Sequence, residues 1–194
     1  MNKSSQIISH LESSIEVKKK ILNNHNLILK IEKLYSSCLK VLSKGGKIIF
    51  AGNGGSFGDA QHLSTEFVSK FRLDRSPLNS IALGTNSSTL SAVANDYGYD
   101  QVFSRELIAL ANKNDIFIGI STSGNSKNII NAILTANKLN IENFCLTGLD
   151  GGELSKISNC IMVPSNDTAH IQECHITIGH IICDLIEKEL FKIK

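Results

Sequence analysis

Long apolar runs are missing from this sequence: the longest, Ile48–Ala51 and Ile116–Ile120, fall far below the ~20 residues that a membrane helix needs. Proline is scarce, at two residues, and there is no internal repeat, low-complexity tract or second domain boundary. A strong charge of either sign is also missing, since 20 lysines and arginines face 18 acidic residues, for a formal charge of +2. We therefore expect neither a nucleic-acid partner nor a membrane. At 194 residues, the chain fits one domain with a buried core.

A secretory signal and a disulfide pattern are absent as well. Glu12, Glu16 and three lysines interrupt the N-terminal segment. The five cysteines are odd in number, form no C-x-x-C pair, and four of them lie within apolar segments. We expect reduced and mostly buried thiols in a cytoplasmic protein, with no zinc or redox role for cysteine.

The first 44 residues contain neither proline nor glycine and carry apolar residues at helical spacing. One series runs from Ile7 to Leu22 and a second from Leu27 to Leu42, so we predict two helices with a break at 23–26. Gly45-Gly46 then ends this helical arm. The arm has no residues typical of a reaction site, and we expect it to pack on the following domain or on copies from other subunits.

The pattern changes to alternating strands and helices from Lys47 onward. We predict strands at 47–51, 79–83, 115–120, 142–147 and 160–163, and helices at 56–72, 87–97, 100–112, 125–139, 151–157 and 168–191. Strands that are apolar on all sides and joined by helical crossovers are typical of an α/β fold with a parallel sheet covered on both faces. Ligands of such sheets bind beyond the carboxyl ends of the strands.

Two loops follow predicted strands and carry residues suited to a ligand. Ala51–Ser56 (AGNGGS) lacks the third glycine of a dinucleotide fingerprint and the lysine of a P-loop, so it either holds a ligand near its backbone or is only a tight turn. Ser121–Ser126 (STSGNS) places hydroxyls at a helix N-terminus, where a phosphate dianion is favoured, and Lys127 could add charge. An ordinary N-cap explains one of these serines and leaves the others without a role. The two loops together predict a phosphorylated small molecule.

Ionisable residues stand on two of the predicted helices. His62 and Glu66 are four residues apart, so they could chelate a metal, act as base and acid, or form a solvated helix pair. The closing helix carries Gln172, Glu173, His175 and His180 among apolar residues, where a lone histidine could equally be an interior one. Gln172 and His180 are eight residues apart, which is ~80° around a helix and ~12 Å along it. Zinc bonds are about 2 Å long, so if both residues are ligands, one comes from a neighbouring protomer.

Taken together, these segments resemble a known family. They are Ala51–Ser56, Asp59–His62, Glu66-Phe67, Asn95–Gly98, Ile120–Ser126, Ile171–Glu173 and His180. Over nearly its whole length the chain is similar to the bacterial phosphoheptose isomerases of the sugar isomerase (SIS) superfamily. The resemblance implies a single SIS domain over residues 1–194, with a three-layer α/β fold around a five-stranded parallel sheet. It also implies that residues 1–44 pack on the domain and on neighbouring subunits.

The resemblance further implies an activity and a set of residues. Family members are homotetramers with active sites at subunit interfaces, and they interconvert sedoheptulose 7-phosphate and D-glycero-D-manno-heptose 7-phosphate through an enediol, for lipopolysaccharide core or capsule. Glu66 and His180 would be the catalytic acid–base pair. One zinc ion per subunit would bind His62, Glu66, Gln172 and His180. The substrate would contact Asn53, Gly54, Gly55, Ser56, Glu66, Asn95, Asp96, Ser121, Thr122, Ser123, Ser126 and Gln172.

Two departures from the family pattern bear on phosphate affinity and substrate choice. His170 stands where the family often has arginine, and Phe57-Gly58 stands where small residues often follow the glycine loop. Two alternative functions remain within the SIS superfamily. The chain could be a tetrameric SIS protein that binds the replication initiator, a group with similar glycine and serine loops, or a regulatory SIS domain that senses a sugar phosphate. The first group lacks the acid and the terminal-helix histidine, which this chain retains as Glu66 and His180. The second does not explain His62 and Glu66 together with Gln172.

Overall fold

The computed structural model describes residues 2–191 of the chain. Over that range the helices are α1 (Lys3–Leu22), α2 (His25–Ser43), α3 (Gly55–Val68), α4 (Ser87–Tyr97), α5 (Val102–Leu110), α6 (Lys127–Lys138) and α7 (Thr168–Leu190). The strands are β1 (Ile48–Gly52), β2 (Ser80–Ala82), β3 (Ile116–Ile120), β4 (Glu142–Thr147) and β5 (Asn159–Met162). Two short 3-10 turns lie at Tyr99–Gln101 and Gly152–Lys156.

The five strands form one parallel sheet in the order β2-β1-β3-β4-β5. Alternate residues of each strand enter different cores: Ile48 and Phe50 point toward α2, α3 and α7, whereas Ile49 and Ala51 point toward α5 and α6. The three-layer α/β architecture expected from the sequence is therefore confirmed. The strands after β1 are added first on one side of it (β2) and then on the other (β3 to β5), so the switch point of the sheet lies between β1 and β3. The crevice at the carboxyl ends of these two strands is where such sheets bind ligands.

The predicted elements are all present, with differences at their ends. The third helix ends at Val68 instead of residue 72, because the carbonyl oxygen of Phe67 accepts a hydrogen bond from Leu78 N, which turns the chain back toward β2. The segment predicted as a helix at 151–157 is a 3-10 turn that begins after Gly151, at a φ of 64°. The helix predicted at 100–112 starts at Val102, after a 3-10 turn of its own. In the last two cases the i→i+3 hydrogen bonds of a 3-10 turn replace a regular helix.

The N-terminal arm consists of two helices that differ in how much they bury. α2 packs on α7 and the sheet through residues that include Leu34 and Cys38. α1 buries only Ser14 and Val17, and its apolar residues Ile7, Ile8, Leu11 and Ile15 are each more than half exposed. No helix within residues 2–191 combines the length and apolar character needed to cross a bilayer. All five cysteines are buried and free, as expected.

Candidate active site

The glycine loop after β1 is tied to the start of α6 by a pair of amide side chains. Asn53 and Asn128 exchange two hydrogen bonds through their side-chain amides, at 2.9 and 2.8 Å. The hydroxyl of Tyr99 donates a third bond, of 3.0 Å, to Oδ1 of Asn53. The loops that follow β1 and β3 are thereby held side by side at the sheet's switch point. The prediction that both loops contact one phosphorylated ligand requires this closeness.

Glycine is needed in this loop for two different reasons. Gly54 precedes α3 at a φ of 54°, in the left-handed region where a side chain is strained. A Cβ at Gly55 would lie 2.5 Å from Nε2 of Gln172, so a larger residue at this position would displace that amide. Ser56 follows, buried at the first turn of α3. Gln172 of the same chain therefore lies at the amino end of α3.

The serine loop after β3 is held tightly through its backbone. Gly124 has a φ of 66°, and a Cβ there would lie 2.1 Å from the carbonyl oxygen of Gly151. The hydroxyls of Ser121 and Ser126 lie 2.9 Å apart, and Ser123 Oγ accepts a hydrogen bond from the backbone N–H of Asn125. The carbonyl of Thr122 accepts a bond from the backbone N–H of Gly148.

The start of α6 is consequently open to an anion. Ser126 is the N-cap of α6, but its side chain makes no capping hydrogen bond. The N–H group of Ile129 donates to Asn128 Oδ1, whereas those of Lys127 and Asn128 keep the capacity to bind a phosphate, which the positive end of the helix dipole also attracts.

His62, Glu66 and His180 meet at one point on adjacent helices. Nε2 of His62 lies 2.9 Å from Nε2 of His180 and 3.3 Å from Oε1 of Glu66. One ligand atom from each of the three side chains lies within 4.8 Å of the others. The glycine at position 179 allows this approach, since a Cβ there would lie 2.3 Å from Cδ2 of Leu63. Two imidazoles and a carboxylate in this arrangement match the ligand types and spacing that zinc takes.

The electrostatics of this cluster favour neutral imidazole at His180. Partial burial lowers the pKa of His180, and the neighbouring His62 and Arg72 lower it further, whereas Glu66 acts in the opposite direction. A neutral imidazole can accept a proton or bind a metal, and an imidazolium can do neither.

Gln172 lies apart from the three-residue cluster in the same chain. It sits against Gly55 at the amino end of α3, while His180 lies two helical turns further along α7, beside His62. The four residues predicted to hold zinc are therefore divided: three meet within one chain and the fourth lies about 12 Å away along the helix axis.

Asn95 and Asp96 are exposed near the end of α4, where their side chains form a hydrogen bond of 2.8 Å. Tyr99, three residues beyond Asp96, reaches Asn53. This contact joins the 3-10 turn that follows α4 to the glycine loop.

Three residues of this region were not among the predicted site residues. Tyr99 and Asn128 fix Asn53, as described above. Asp59 stands one turn before His62 on α3, half-buried, with Oδ2 accepting no hydrogen bond from the described residues, and burial raises its pKa. Asp59 is three residues before His62, so the two share a helix face, and this spacing could have pointed to Asp59 from the sequence.

His170, which departs from the family pattern, is buried. Its ring lies against the ring of His10, with 4.9 Å between the ring centroids.

Comparisons with known proteins agree with this geometry. A model of the SIS domain family matches residues 9–148. The phosphoheptose isomerase of Sulfurimonas denitrificans is 52% identical over 186 residues, which cover 95% of each chain. The chain belongs to the phosphoheptose isomerases of the SIS family. Phosphoheptose isomerase 2 of Campylobacter jejuni is 48% identical over 191 residues, covering 98% of this chain and 95% of that one.

Solved structures of this family share the whole architecture. A phosphoheptose isomerase from Francisella tularensis superposes with a TM-score of 0.92 at 38% identity, covering 97% of this chain and all of that one. The enzyme from Neisseria gonorrhoeae gives a TM-score of 0.89 at 36% identity, covering 96% and 100%. The matches include the N-terminal arm, so the arm is part of the family's fold.

Proposed function

We propose that this phosphoheptose isomerase converts sedoheptulose 7-phosphate to D-glycero-D-manno-heptose 7-phosphate, for bacterial heptose synthesis. The observation that carries the proposal is the meeting of Glu66, His62 and His180 at one point, in a chain whose loop after β3 is rich in serine hydroxyls. A scaffold or sensor has no use for an acid and two imidazoles at one point. Family membership, at 52% identity over 95% of the chain, supports an isomerase.

An aldose–ketose isomerase must move one proton between adjacent carbons and move others between their oxygens. Glu66 supplies a carboxylate that can remove the proton next to the carbonyl, which gives an enediol, and can return it to the neighbouring carbon. His180, with its lowered pKa, accepts and donates protons at the sugar oxygens. We assign Glu66 and His180 as the catalytic acid–base pair on this basis.

We further propose one zinc ion per subunit at His62, Glu66 and His180. The two imidazole nitrogens and the carboxylate fit such an ion by type and by mutual distance. When bound, zinc would polarise the sugar carbonyl and stabilise negative charge on its oxygen.

At the other end of the sugar, the serine loop would anchor the phosphate. Ser121, Ser123 and Ser126 offer hydroxyls, and the uncapped N–H groups of α6 add positive potential. The glycine loop would pass along the sugar, with Asn53 and Gly54 nearby and Asn95 and Asp96 beyond Tyr99. Binding energy gained at the distant phosphate orients the reacting carbons.

Assembly into a homotetramer, with sites at subunit interfaces, completes the proposal. Gln172 lies too far along α7 to join His180 of its own chain, so the partner subunit's Gln172 would be the fourth ligand. The exposed apolar face of α1 supports such an assembly, because apolar patches of this kind mark protein interfaces. Five free thiols agree with a reducing compartment, which supports a cytoplasmic enzyme.

The decisive experiment follows the reaction directly. Purified protein is given sedoheptulose 7-phosphate, and the aldose is detected by its anomeric proton in NMR spectra. We expect aldose to form, to stop forming after treatment with a chelator, and to form again when zinc is added. Unchanged ketose in all samples would contradict the proposed activity. Activity that survives complete metal removal would contradict the zinc site alone.

A further inference from the structure

Beyond the cluster, Arg75 and Glu187 form an ion pair that is almost completely buried. Arg75 Nε lies 2.9 Å from Glu187 Oε1, and the two side chains are 3% and 1% exposed. Neither residue stands out in the sequence, because Arg75 lies in the connection between α3 and β2 and Glu187 lies in the last turns of α7. A buried pair of charges is by itself weak evidence of a stabilising role, so its contacts decide what it does.

Glu187 organises the start of the connection after α3. Its carboxylate accepts hydrogen bonds from three successive backbone N–H groups, those of Phe71, Arg72 and Leu73, at 3.4, 2.9 and 3.2 Å. Its two oxygens are thereby shared between this backbone and the guanidinium of Arg75. The segment is fixed in place from α7, the helix that also carries His180.

Arg75 secures the carboxyl end of α3. Its guanidinium donates to the carbonyl oxygens of Glu66 (2.9 Å), Phe67 (2.7 Å) and Ser69 (2.9 Å). The last turn of α3 has no basic residue of its own, and its terminal carbonyls carry the negative end of the helix dipole. The arginine therefore serves as the cap of the turn from which the Glu66 carboxylate projects.

The connection after α3 also packs against His180. The ring of Phe71 stacks on the imidazole of His180, with 5.5 Å between centroids and 28° between planes. The guanidinium of Arg72 covers the Phe71 ring at 5.1 Å and pairs with Asp184 at 2.5 Å. The position of Phe71 thus depends on backbone atoms that Glu187 binds.

We propose that Arg75 and Glu187 are positioning residues for the reaction: the buried pair fixes the last turn of α3, with Glu66, and holds Phe71 against His180. The positions of Glu66 and His180 then both depend on one buried ion pair that does not contact the substrate. The role in turnover rests on the proposed function, whereas the structural part of the inference does not.

The test compares Arg75→Lys with wild type, each with zinc added. Lysine keeps the charge but cannot bind the carboxylate and several carbonyls in one plane. We expect kcat to fall about 10- to 100-fold with KM changed less than about threefold, because displacement of catalytic groups by about 1 Å has effects of this size and the phosphate loop is untouched. In protein with 13C-labelled histidine, the His180 ring resonance, assigned by its loss in His180→Gln, should shift.

Lys47→Met is the matched control. Lys47 and Asp115 form another buried pair, at 2.5 Å with side chains 16% and 3% exposed. This pair lies where β1 and β3 begin, and the Asp115 carboxylate accepts its backbone hydrogen bonds from Lys47 and Asn112, not from the segment after α3. This control should lower thermal stability and leave kcat per folded enzyme and the His180 resonance unchanged. If Arg75→Lys is recovered mostly unfolded, Glu187→Gln, which keeps the shape of the side chain, takes its place with the same expectations.

The inference is overturned if Arg75→Lys keeps a kcat within twofold of wild type and an unshifted His180 resonance. It is also overturned if Lys47→Met loses kcat to the same extent, since general destabilisation would then explain both. A wild-type enzyme inactive on sedoheptulose 7-phosphate would contradict the proposed function, and the His180 resonance would still test the positioning.

Discussion

Single residues decide whether the site can form, and Gly55 is the clearest case. A Cβ there would lie 2.5 Å from the Gln172 amide, which is the far end of a flexible side chain and can move. Gly55→Ala should therefore leave the melting temperature near that of wild type while displacing Gln172. We expect kcat/KM to fall at least about tenfold.

Gly58→Ala is the control for that substitution, because it lies on the same helix with open space around the new Cβ. It should raise stability slightly, by about 0.5–1 kcal/mol, through helix propensity, and leave activity unchanged. Equal activity of both variants, measured by NMR on the proposed substrate, would remove Gln172 from the site.

Glu66 is the residue on which the proposed chemistry depends most. Glu66→Gln keeps the shape and removes the basic oxygen, so kcat should fall about 10²- to 10⁴-fold, the range for loss of a positioned acid or base. Circular dichroism should show an intact fold. Glu189→Gln, an exposed change on α7, should behave as wild type. Near-normal turnover of Glu66→Gln would assign the proton transfer to another group.

At the scale of elements, the site is made by two helices that run in the same direction side by side. Contacts advance together along both: Gly55 meets Gln172, Leu63 meets Gly179, and His62 meets His180. The spacing of four predicted that His62 and Glu66 share a face. The residues of α7 that His62 and Glu66 contact depend on how α3 and α7 pack together. The residue spacing within each helix does not specify this packing.

The serine loop is the second part of the molecule on which the proposed reaction depends. Removal of the Ser123 hydroxyl by Ser123→Ala should weaken substrate binding by about 2 kcal/mol, as expected for a hydrogen bond to a charged phosphate. Calorimetry with the chelated, inactive enzyme measures this without turnover. Ser43→Ala, exposed at the end of α2, is the matched control. Unchanged affinity of Ser123→Ala would place the phosphate elsewhere.

For the whole molecule, the proposed division of the site between subunits has a direct test. His180→Ala and Gln172→Ala are each expected to be inactive, and the two are then unfolded together and refolded as a mixture. If every site takes His180 from one chain and Gln172 from another, about one quarter of the sites in random assemblies are intact. If both residues come from the same chain, no site recovers. Activity of the mixture near the level of either parent would contradict the shared site.

The stability of the whole molecule should depend on pH through His175. This side chain is fully buried, hydrogen-bonds to the carbonyl of Thr147, and has its pKa lowered by burial from 6.5 to about 4. Between those values the unfolded chain binds more protons, so stability rises with pH from about 4 to 6.5. Going from pH 7.5 to 5 should cost about 2 kcal/mol through this group.

Urea unfolding at the two pH values measures this effect. His175→Gln, which retains a donor for the Thr147 carbonyl, should reduce the pH dependence by that amount. His25→Gln, at an exposed histidine, should not reduce it. A wild-type pH dependence in His175→Gln would assign the effect to other groups.

The sequence by itself determined the order of strands and helices, the break in the arm and the position of the two loops predicted to bind a ligand. These features depend on periodicity and on residues adjacent in the chain, such as the apolar strand that ends at Gly52 and the hydroxyls of Ser121–Ser126. Recognition of the family likewise depended on short motifs that can be read along the chain. Ends of elements were less well predicted where a distant group, such as Leu78 N at Phe67, sets the boundary.

Only the tertiary structure decided which side chains meet. The buried pair of Arg75 and Glu187 joins residues 112 positions apart, and the contact of His62 with His180 spans 118. The hydrogen bond between Asn53 and Asn128 likewise joins residues 75 positions apart. Such contacts follow from how helices pack over the sheet, which depends on the shape of both cores and on close approaches at glycines such as Gly179. No local pattern encodes them, since each partner alone is an ordinary polar residue on a helix or a loop.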